Sequence, residues 1–322
     1  MLPLITIGMT CFNAEDTIGA AIESALSQDY ANKEIIIVDD GSSDGSRALL
    51  EKFATENEII NYIPHEQNTG FAGALNTIIK NAKGGFIAIF DDDDISQPQR
   101  LTAQYERITA YEQETGTTDV LCHVARIQTF ENGLQRYEQT VGTNAGIAPH
   151  GIDMVRRVLY GYLGNHGTNI VGSCANCARM GRTKVFRDLN GFDEDMRRGE
   201  DTDFSIRFAL NGGHFVGIEE PLVHQAMTTG AEKTLDKEYG VEKFFTEKHK
   251  DFLEKEGWYK FALEWLDVRY ANLHNQKLKF LFLLSMMFLK HPIKTIKKLC
   301  WSVPAKDTRS SFKKWHLGEL NG

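Results

Sequence analysis

The chain has 322 residues, 42% of them apolar, and a formal net charge of −8. This length suits one large α/β domain with an appendage, and the acidic balance argues against nucleic acid as a partner. No apolar run reaches the ~18 residues of a membrane span and no secretory signal pattern is visible. Five cysteines, at 11, 122, 174, 177 and 300, lack framework spacing, which suggests a reducing compartment.

Leu4–Met9 reads as a first strand, followed by a helix over Glu15–Gln28 with Ile18, Ile22, Ala25 and Leu26 on one face. Glu34–Val38 is a second buried strand, ending in Asp39-Asp40-Gly41-Ser42-Ser43-Asp44-Gly45. Ile59–Ile63 is a short strand. A helix starts after Asn68-Thr69-Gly70, with Leu75, Ile78 and Ile79 inward. Gly84-Gly85 breaks the chain before Phe86–Phe90, an apolar strand running straight into Asp91-Asp92-Asp93-Asp94. Pro98 opens a helix to about Glu114. This alternation predicts a Rossmann-like, mostly parallel sheet flanked by helices.

Neither GxGxxG nor GxxxxGK[ST] occurs, so the phosphate cradles of dinucleotide enzymes and P-loop ATPases are absent. Instead, two strands end in acids, where open α/β sheets bind ligands. Strand alternation would put Asp91 and Asp93 on one side, where they repel unless a cation intervenes. A hard divalent ion, Mn2+ or Mg2+, bridging to a diphosphate fits oxygen ligands; a solvated acidic turn is the bland alternative. Asp39 or Asp40 can accept from a ribose hydroxyl or a base N–H. Cys174-x-x-Cys177 has no second ligand pair and reads as two small residues in a packed segment.

Val120–Phe130 alternates as a strand, Asn132-Gly133 signals a hairpin, and Gln135–Val141 is the return. Residues 142–170, rich in Gly, Asn and His, fit no element.

Thr10-Cys11-Phe12-Asn13-Ala14-Glu15, Ser24–Gln28, Glu34–Gly45, Asn68-Thr69-Gly70 with Ala74-Leu75-Asn76, and the four-Asp run with Pro98 after it resemble the family 2 glycosyltransferases of GT-A fold, over roughly residues 2–225. The resemblance implies a metal-dependent, inverting hexosyltransferase using a nucleotide-sugar donor. Carried over, Thr10, Asn13 and Glu15 line the nucleotide pocket and Asp39 and Asp40 read base and ribose. Asp91, with Asp92 beside it, faces ribose and phosphate, and Asp93, with Asp91, holds the metal. Gly191-Phe192-Asp193-Glu194 and Glu200-Asp201-Thr202-Asp203 resemble the family's later segments. By resemblance Asp201 is the base that deprotonates the acceptor, with Glu200 as the second candidate. Acids at a helix start also favour the helix dipole, a purely structural role. His224 is a possible third metal ligand. Arg179 and Arg182, just upstream, could neutralise the diphosphate leaving group.

Residues 277–322 carry ten Lys or Arg and two Asp or Glu, hence +8, leaving −16 for the rest. Within them Lys277–Lys290 and His291–Trp301 combine lysines with Phe, Leu, Ile and Trp, the pattern of helices lying on an anionic membrane. A buried helix or a dimer contact would use the same apolar residues. The expected organisation is a catalytic domain over 1–228 (a nucleotide half, 1–115, and an acceptor half, 116–228) and a helical region over 229–322. The reading is an enzyme of polysaccharide biosynthesis, peripheral on the cytoplasmic face of a membrane. It would move a sugar from a UDP-sugar to a hydroxyl of a lipid-linked or surface glycan. The alternatives are an inactive membrane-docked glycan-binding scaffold and a sugar nucleotidyltransferase; the latter usually needs an early Gly- and Arg-rich loop that the sequence lacks.

Overall fold

Every residue of β1 (Ile5–Cys11) is buried, as its unbroken apolar and small side chains require of a central strand. The structure is a computed structural model and describes residues 2–142, 146–164, 170–196, 198–227, 234–305 and 314. After β1 come α1 (Ile18–Leu26), β2 (Lys33–Asp39), α2 (Ser46–Glu56), β3 (Ile60–Pro64), α3 (Phe71–Asn81) and β4 (Phe86–Phe90). These four strands pair in parallel in the order β3-β2-β1-β4. The order reverses at β1, so the carboxyl ends of β1 and β4 flank a topological switch point.

One face of this sheet buries Ile5, Ile7, Ile35, Ile37, Phe86 and Ala88 against Ile18 and Ile22 of α1. On the other, α3 lies so close to β1 that a Cβ at Gly8 would come within 2.5 Å of Ile78. The approach needs glycine there.

β5 (Ile95–Ser96) and α4 (Arg100–Thr115) follow, then β6 (Val120–Phe130), β7 (Gln135–Glu138), α5 (Gly151–Tyr160), a 3-10 turn (Asn176–Ala178), β8 (Arg179–Arg182), α6 (Thr183–Asp188), α7 (Glu200–Leu210) and β9 (His214–Met227). β8 joins the sheet antiparallel to both β4 and β6, β7 pairs with β6, and β9 pairs with β5. The mostly parallel expectation thus holds for the first half, and antiparallel strands extend it.

The chain forms two compact units. The first takes residues 1–129, 135–152 and 169–226. The second takes 130–134, 153–168 and everything from 227. It contains α8 (Leu235–Lys248), α9 (Lys250–Lys255), α10 (Tyr259–Leu273), α11 (Lys277–Lys290) and α12 (Pro292–Ser302). Its core gathers Leu253, Trp258, Phe261, Val268 and Met287 with Tyr160, whose ring stacks on Trp258 at 4.5 Å. The segment carrying Tyr160 therefore belongs with the C-terminal helices, whereas the expected boundary at 228 assigned it to the catalytic domain. Its helix α5 was not visible in the sequence; Arg156 ties it to Glu256 through two hydrogen bonds of 2.8 and 3.0 Å.

Candidate active site

Acids end both β2 and β4, and their surroundings differ. Asp39, fully buried, accepts from Ser42 N (2.9 Å) and from Arg47 Nε (3.0 Å). Asp40 is 3% exposed and accepts four hydrogen bonds, from Thr69 N, Thr69 Oγ1 and Gly70 N at 2.8 Å each and from the His65 ring, also at 2.8 Å. Burial alone would raise its pKa, but the donors outweigh it and hold Asp40 below the usual carboxylate range. Gly70, at φ +85°, turns the chain so that its N–H meets Asp40 as α3 begins. These two acids, which the resemblance implies read base and ribose, have a structural role in this fold. Their oxygens are occupied in fixing the loops that enter α2 and α3.

Asn13 and Glu15 likewise hold a loop. Asn13, itself at φ +51°, accepts from Ser43 N (2.8 Å), and Glu15 accepts from Gly45 N (2.7 Å). Together they stitch the loop after β1 to the loop after β2. Thr10 is a buried β1 residue opposite Val38.

The acids after β4 stand in the opposite condition. The strand stops at Phe90 and Asp91–Asp94 form a turn, so strand alternation does not govern them. Among the described residues, ligand atoms of Asp91, Asp94 and Cys177 lie within 4.8 Å of one another, and neither Asp93 nor His224 joins that cluster. The expected partner of Asp91 was Asp93, whereas this cluster brings Asp94 to it: Asp94 turns inward, accepting from Ala226 N (3.2 Å) at the end of β9. His224 is exposed on β9 opposite Ile95. Asp92 accepts from Phe12 N (3.1 Å), spanning the switch point.

Among the described residues, Asp91 Oδ1 and Asp94 Oδ2 are buried without a hydrogen-bond partner, and the Cys177 thiol, a weak donor, lies beside the Asp94 carboxyl. Burial, then repulsion from Asp94 and its neighbours, raises the Asp91 pKa well above normal. Burial and then Asp93 push Asp92 and Asp94 each up to about 7. The buried Arg100, donating to Ile89 O (2.8 Å) from behind the turn, leaves this repulsion in place. Carboxylates so crowded and short of donors fit a hard divalent cation, which would supply the missing positive charge. Burial raises the Cys177 pKa well above normal, so it presents a thiol and not a thiolate, and the set favours Mn2+ or Mg2+ over a soft metal.

Glu200 and Asp201 open α7 behind Gly199, whose φ is +79°. Glu200 accepts from Asn176 Nδ2 (3.2 Å) in the turn that carries Cys177. Burial and then Asp201 push its pKa up to about 7, and its charge is felt at Asp91. Asp201 accepts through Oδ1 from Thr202 N (2.6 Å) and Thr202 Oγ1 (3.1 Å).

The two arginines, expected near the leaving group, are engaged within the protein. Arg179 is fully buried, donating to Cys174 O (2.6 Å), Asp201 O (3.1 Å), Ser205 Oγ (2.9 Å) and His123 Nε2 (3.1 Å). It positions the start of α7. Arg182 pairs in register with Phe86, the first residue of β4, and so sits at the end of that strand remote from Asp91. There it forks onto Glu112 at 2.6 Å through each of two nitrogens.

Residues 6–189, more than half of the chain, match the family described as Glycosyl transferase family 2. The chain belongs to this family. One relative of the chain is the Escherichia coli UDP-Glc:alpha-D-GlcNAc-diphosphoundecaprenol beta-1,3-glucosyltransferase WfgD. It is 44% identical over 101 residues, which are 31% of this chain and 39% of that protein. The match thus spans less than half of the relative's length. Staphylococcus aureus TarS 1-349, solved with UDP, superposes with a TM-score of 0.57 at 18% identity, over 83% of this chain and 72% of TarS. A mannosyltransferase from Pyrobaculum calidifontis, solved with GDP-Man and Mn2+, gives 0.54 at 14% identity, over 98% and 83%. The chain has the GT-A fold of these structures.

Asp94, Asn176, Cys177, Arg126 and Gln225 complete the surroundings of the acids and were given no such role from sequence. Arg126 donates to Gln225 Oε1 (2.8 Å) and to Cys177 Sγ (3.5 Å). Asp94 was in view as part of the run, but Arg126 and Gln225 carry no local signal.

Proposed function

We propose that this glycosyltransferase moves a hexose from a UDP-sugar to a hydroxyl of a lipid-linked or surface glycan, with inversion at the anomeric carbon. The observation that carries the reading is the donor-starved acid turn after β4, next to the acids that open α7. Residues 1–115 serve the donor and 116–228 the acceptor. WfgD, by its name, uses UDP-Glc and a diphosphoundecaprenol-linked acceptor, and TarS was solved with UDP; both support this donor and acceptor class.

Asp91 and Asp94, with Asp93 in the same turn, would hold Mn2+ or Mg2+ against the diphosphate, with His224 at the rim. The ion's chemistry there is charge neutralisation on the departing diphosphate. Asp201 accepts the proton of the acceptor hydroxyl as that oxygen bonds to C1. The bond from C1 to the β-phosphate oxygen breaks, and its electron pair leaves with the UDP. Asp92 keeps the loop after β1 in place through Phe12 N, and Arg179 fixes the backbone of Asp201. A specific observation favours Glu200 as a second candidate for the base: a pKa of about 7 suits proton transfer near neutral pH. The acceptor would be met at an anionic membrane surface through residues 277–301, on the cytoplasmic face.

Calorimetric titration of UDP, dTDP and GDP with and without Mn2+ tests the donor. Metal-dependent binding of UDP alone is expected, lost in Asp93→Ala. Transfer then separates the base candidates. Asp201→Asn should keep UDP binding and lose about 10²–10⁴-fold in rate. If Asp201→Asn transfers at full rate and Glu200→Gln does not, the base is Glu200.

A further inference from the structure

The second unit presents an apolar surface on its last two helices. Along α11, Phe280, Leu283, Leu284 and Met287 face the core built on Trp258 and Phe261. The opposite side is also apolar: Leu278 is 85% exposed, Leu281 59%, Phe282 64% and Leu289 77%. At helical spacing these four form one stripe, and Ile293 and Ile296 of α12, 69% and 53% exposed, add a second. A helix apolar on all sides needs a partner for its outer face, and side chains of this size exposed together mark an interaction site.

Charge identifies the partner. Residues 277–302 carry six lysines and no Asp or Glu. Lys290 is paired with Glu264 (3.1 Å), while Lys294 and Lys298 turn inward to the carbonyls of Gly257 and Tyr160. Lys277, Lys279 and Lys297 are exposed and make no ion pair among the described residues. A second copy of this face would oppose lysine to lysine with no acid to receive it, which disfavours a symmetric dimer. A bilayer with anionic headgroups satisfies both halves of the surface. It takes the apolar stripe among acyl chains and the lysines among phosphates. No helix among the described residues is long and apolar enough to cross a membrane; α11, at 14 residues, is about 21 Å long. We propose that α11 and α12 lie in the interface of an anionic membrane, entering it with Leu278, Leu281, Phe282, Leu289, Ile293 and Ile296. This deepens the reading of a lipid-linked acceptor and rests on that reading only for its purpose, since the docking needs no donor.

The test is co-sedimentation of the full chain, without donor, with vesicles of phosphatidylcholine alone or with a third phosphatidylglycerol. The chain should sediment with the mixed vesicles, less so at raised salt, and poorly with phosphatidylcholine alone. Leu281→Asp with Phe282→Asp should lower the bound-to-free ratio more than tenfold. Lys277→Glu with Lys297→Glu should lower it at least about tenfold, on a scale of roughly fivefold per lysine. Both variants change outward-facing side chains, so their circular dichroism and Mn2+-dependent UDP binding should match the parent. Absence of binding by the parent, or undiminished binding by the Leu281/Phe282 variant, overturns the proposal. So does a parent dimer, seen by sedimentation velocity, that this variant splits without any vesicle binding. Loss of UDP binding with vesicle binding intact sinks the transferase reading alone, and the reverse sinks the docking alone.

Discussion

Two sets of acids end parallel strands on either side of β1, and they are in opposite electrostatic states. Asp39 and Asp40 are surrounded by donors: three backbone N–H groups, a hydroxyl, a histidine ring and a guanidinium reach them. In the Asp91–Asp94 turn only Asp94 is as buried as these two, and one oxygen each of Asp91 and Asp94 is buried without a hydrogen-bond partner among the described residues. The charge of the first set is already satisfied within the fold. The second is left with charge that a bound cation and diphosphate can use. Position at a strand's carboxyl end marks an acid as a candidate; the donors around it decide its role.

The contrast can be broken most directly at Asp91. Asp91→Ala removes a carboxylate with one buried oxygen lacking a partner, so folding should be unharmed or improved, while Mn2+-dependent UDP binding is lost and transfer falls roughly a hundredfold or more. Calorimetry and denaturant unfolding on the same variant check both parts. Asp40→Ala should do the reverse. It strands the buried N–H groups of Thr69 and Gly70 and costs about 2–4 kcal/mol of stability, seen as a lower urea midpoint. Saturating Mn2+ and UDP should still bind whatever fraction is folded.

The pH dependence sharpens the comparison. Asp92, Asp94 and Glu200 have folded pKa values of about 7, against ordinary values of 3.8 to 4.5. The folded state therefore holds protons that the unfolded chain releases between those limits, and raising pH through this window removes stability. The metal-free protein should melt at a higher temperature near pH 5 than near pH 8, and Mn2+ should close most of that gap; a pH-independent melting temperature would contradict the assignment. Asp40 has the opposite sign: its contribution is present above its ordinary pKa of 3.8 and is lost as pH falls through its lower folded value.

The smallest effect is expected at Arg182. Its fork onto Glu112 is partly exposed, so Arg182→Ala should cost about 1 kcal/mol or less and leave UDP affinity unchanged. A large loss of UDP affinity would return it to the leaving group.

Much of the first hundred residues was legible in the sequence because their order is local. Phe86–Phe90 is a continuous apolar run that can only be buried, and Val120–Phe130 was bounded correctly by its alternation and the Asn132-Gly133 turn. α5 was missed, since its ten amphipathic residues stand within the Gly-, Asn- and His-rich stretch 142–170 that fitted no element. Its inward residues make sense only against helices that arrive about 100 positions later.

The candidate site divides along the same line. From sequence alone came the acids at the strand ends, Glu200-Asp201 at a helix start and the family they resemble, because strand termini and motif spacing are properties of a short stretch of chain. Only the tertiary structure decided which acids remain available. Asp40 is held by donors 29 and 30 residues away, Asp94 is drawn inward by Ala226, 132 residues away, and Arg182 is carried to the end of β4 remote from Asp91 by an antiparallel pairing. A carboxylate's chemistry is set by the donors and charges within a few ångströms of it, and in this fold those neighbours come from distant parts of the chain.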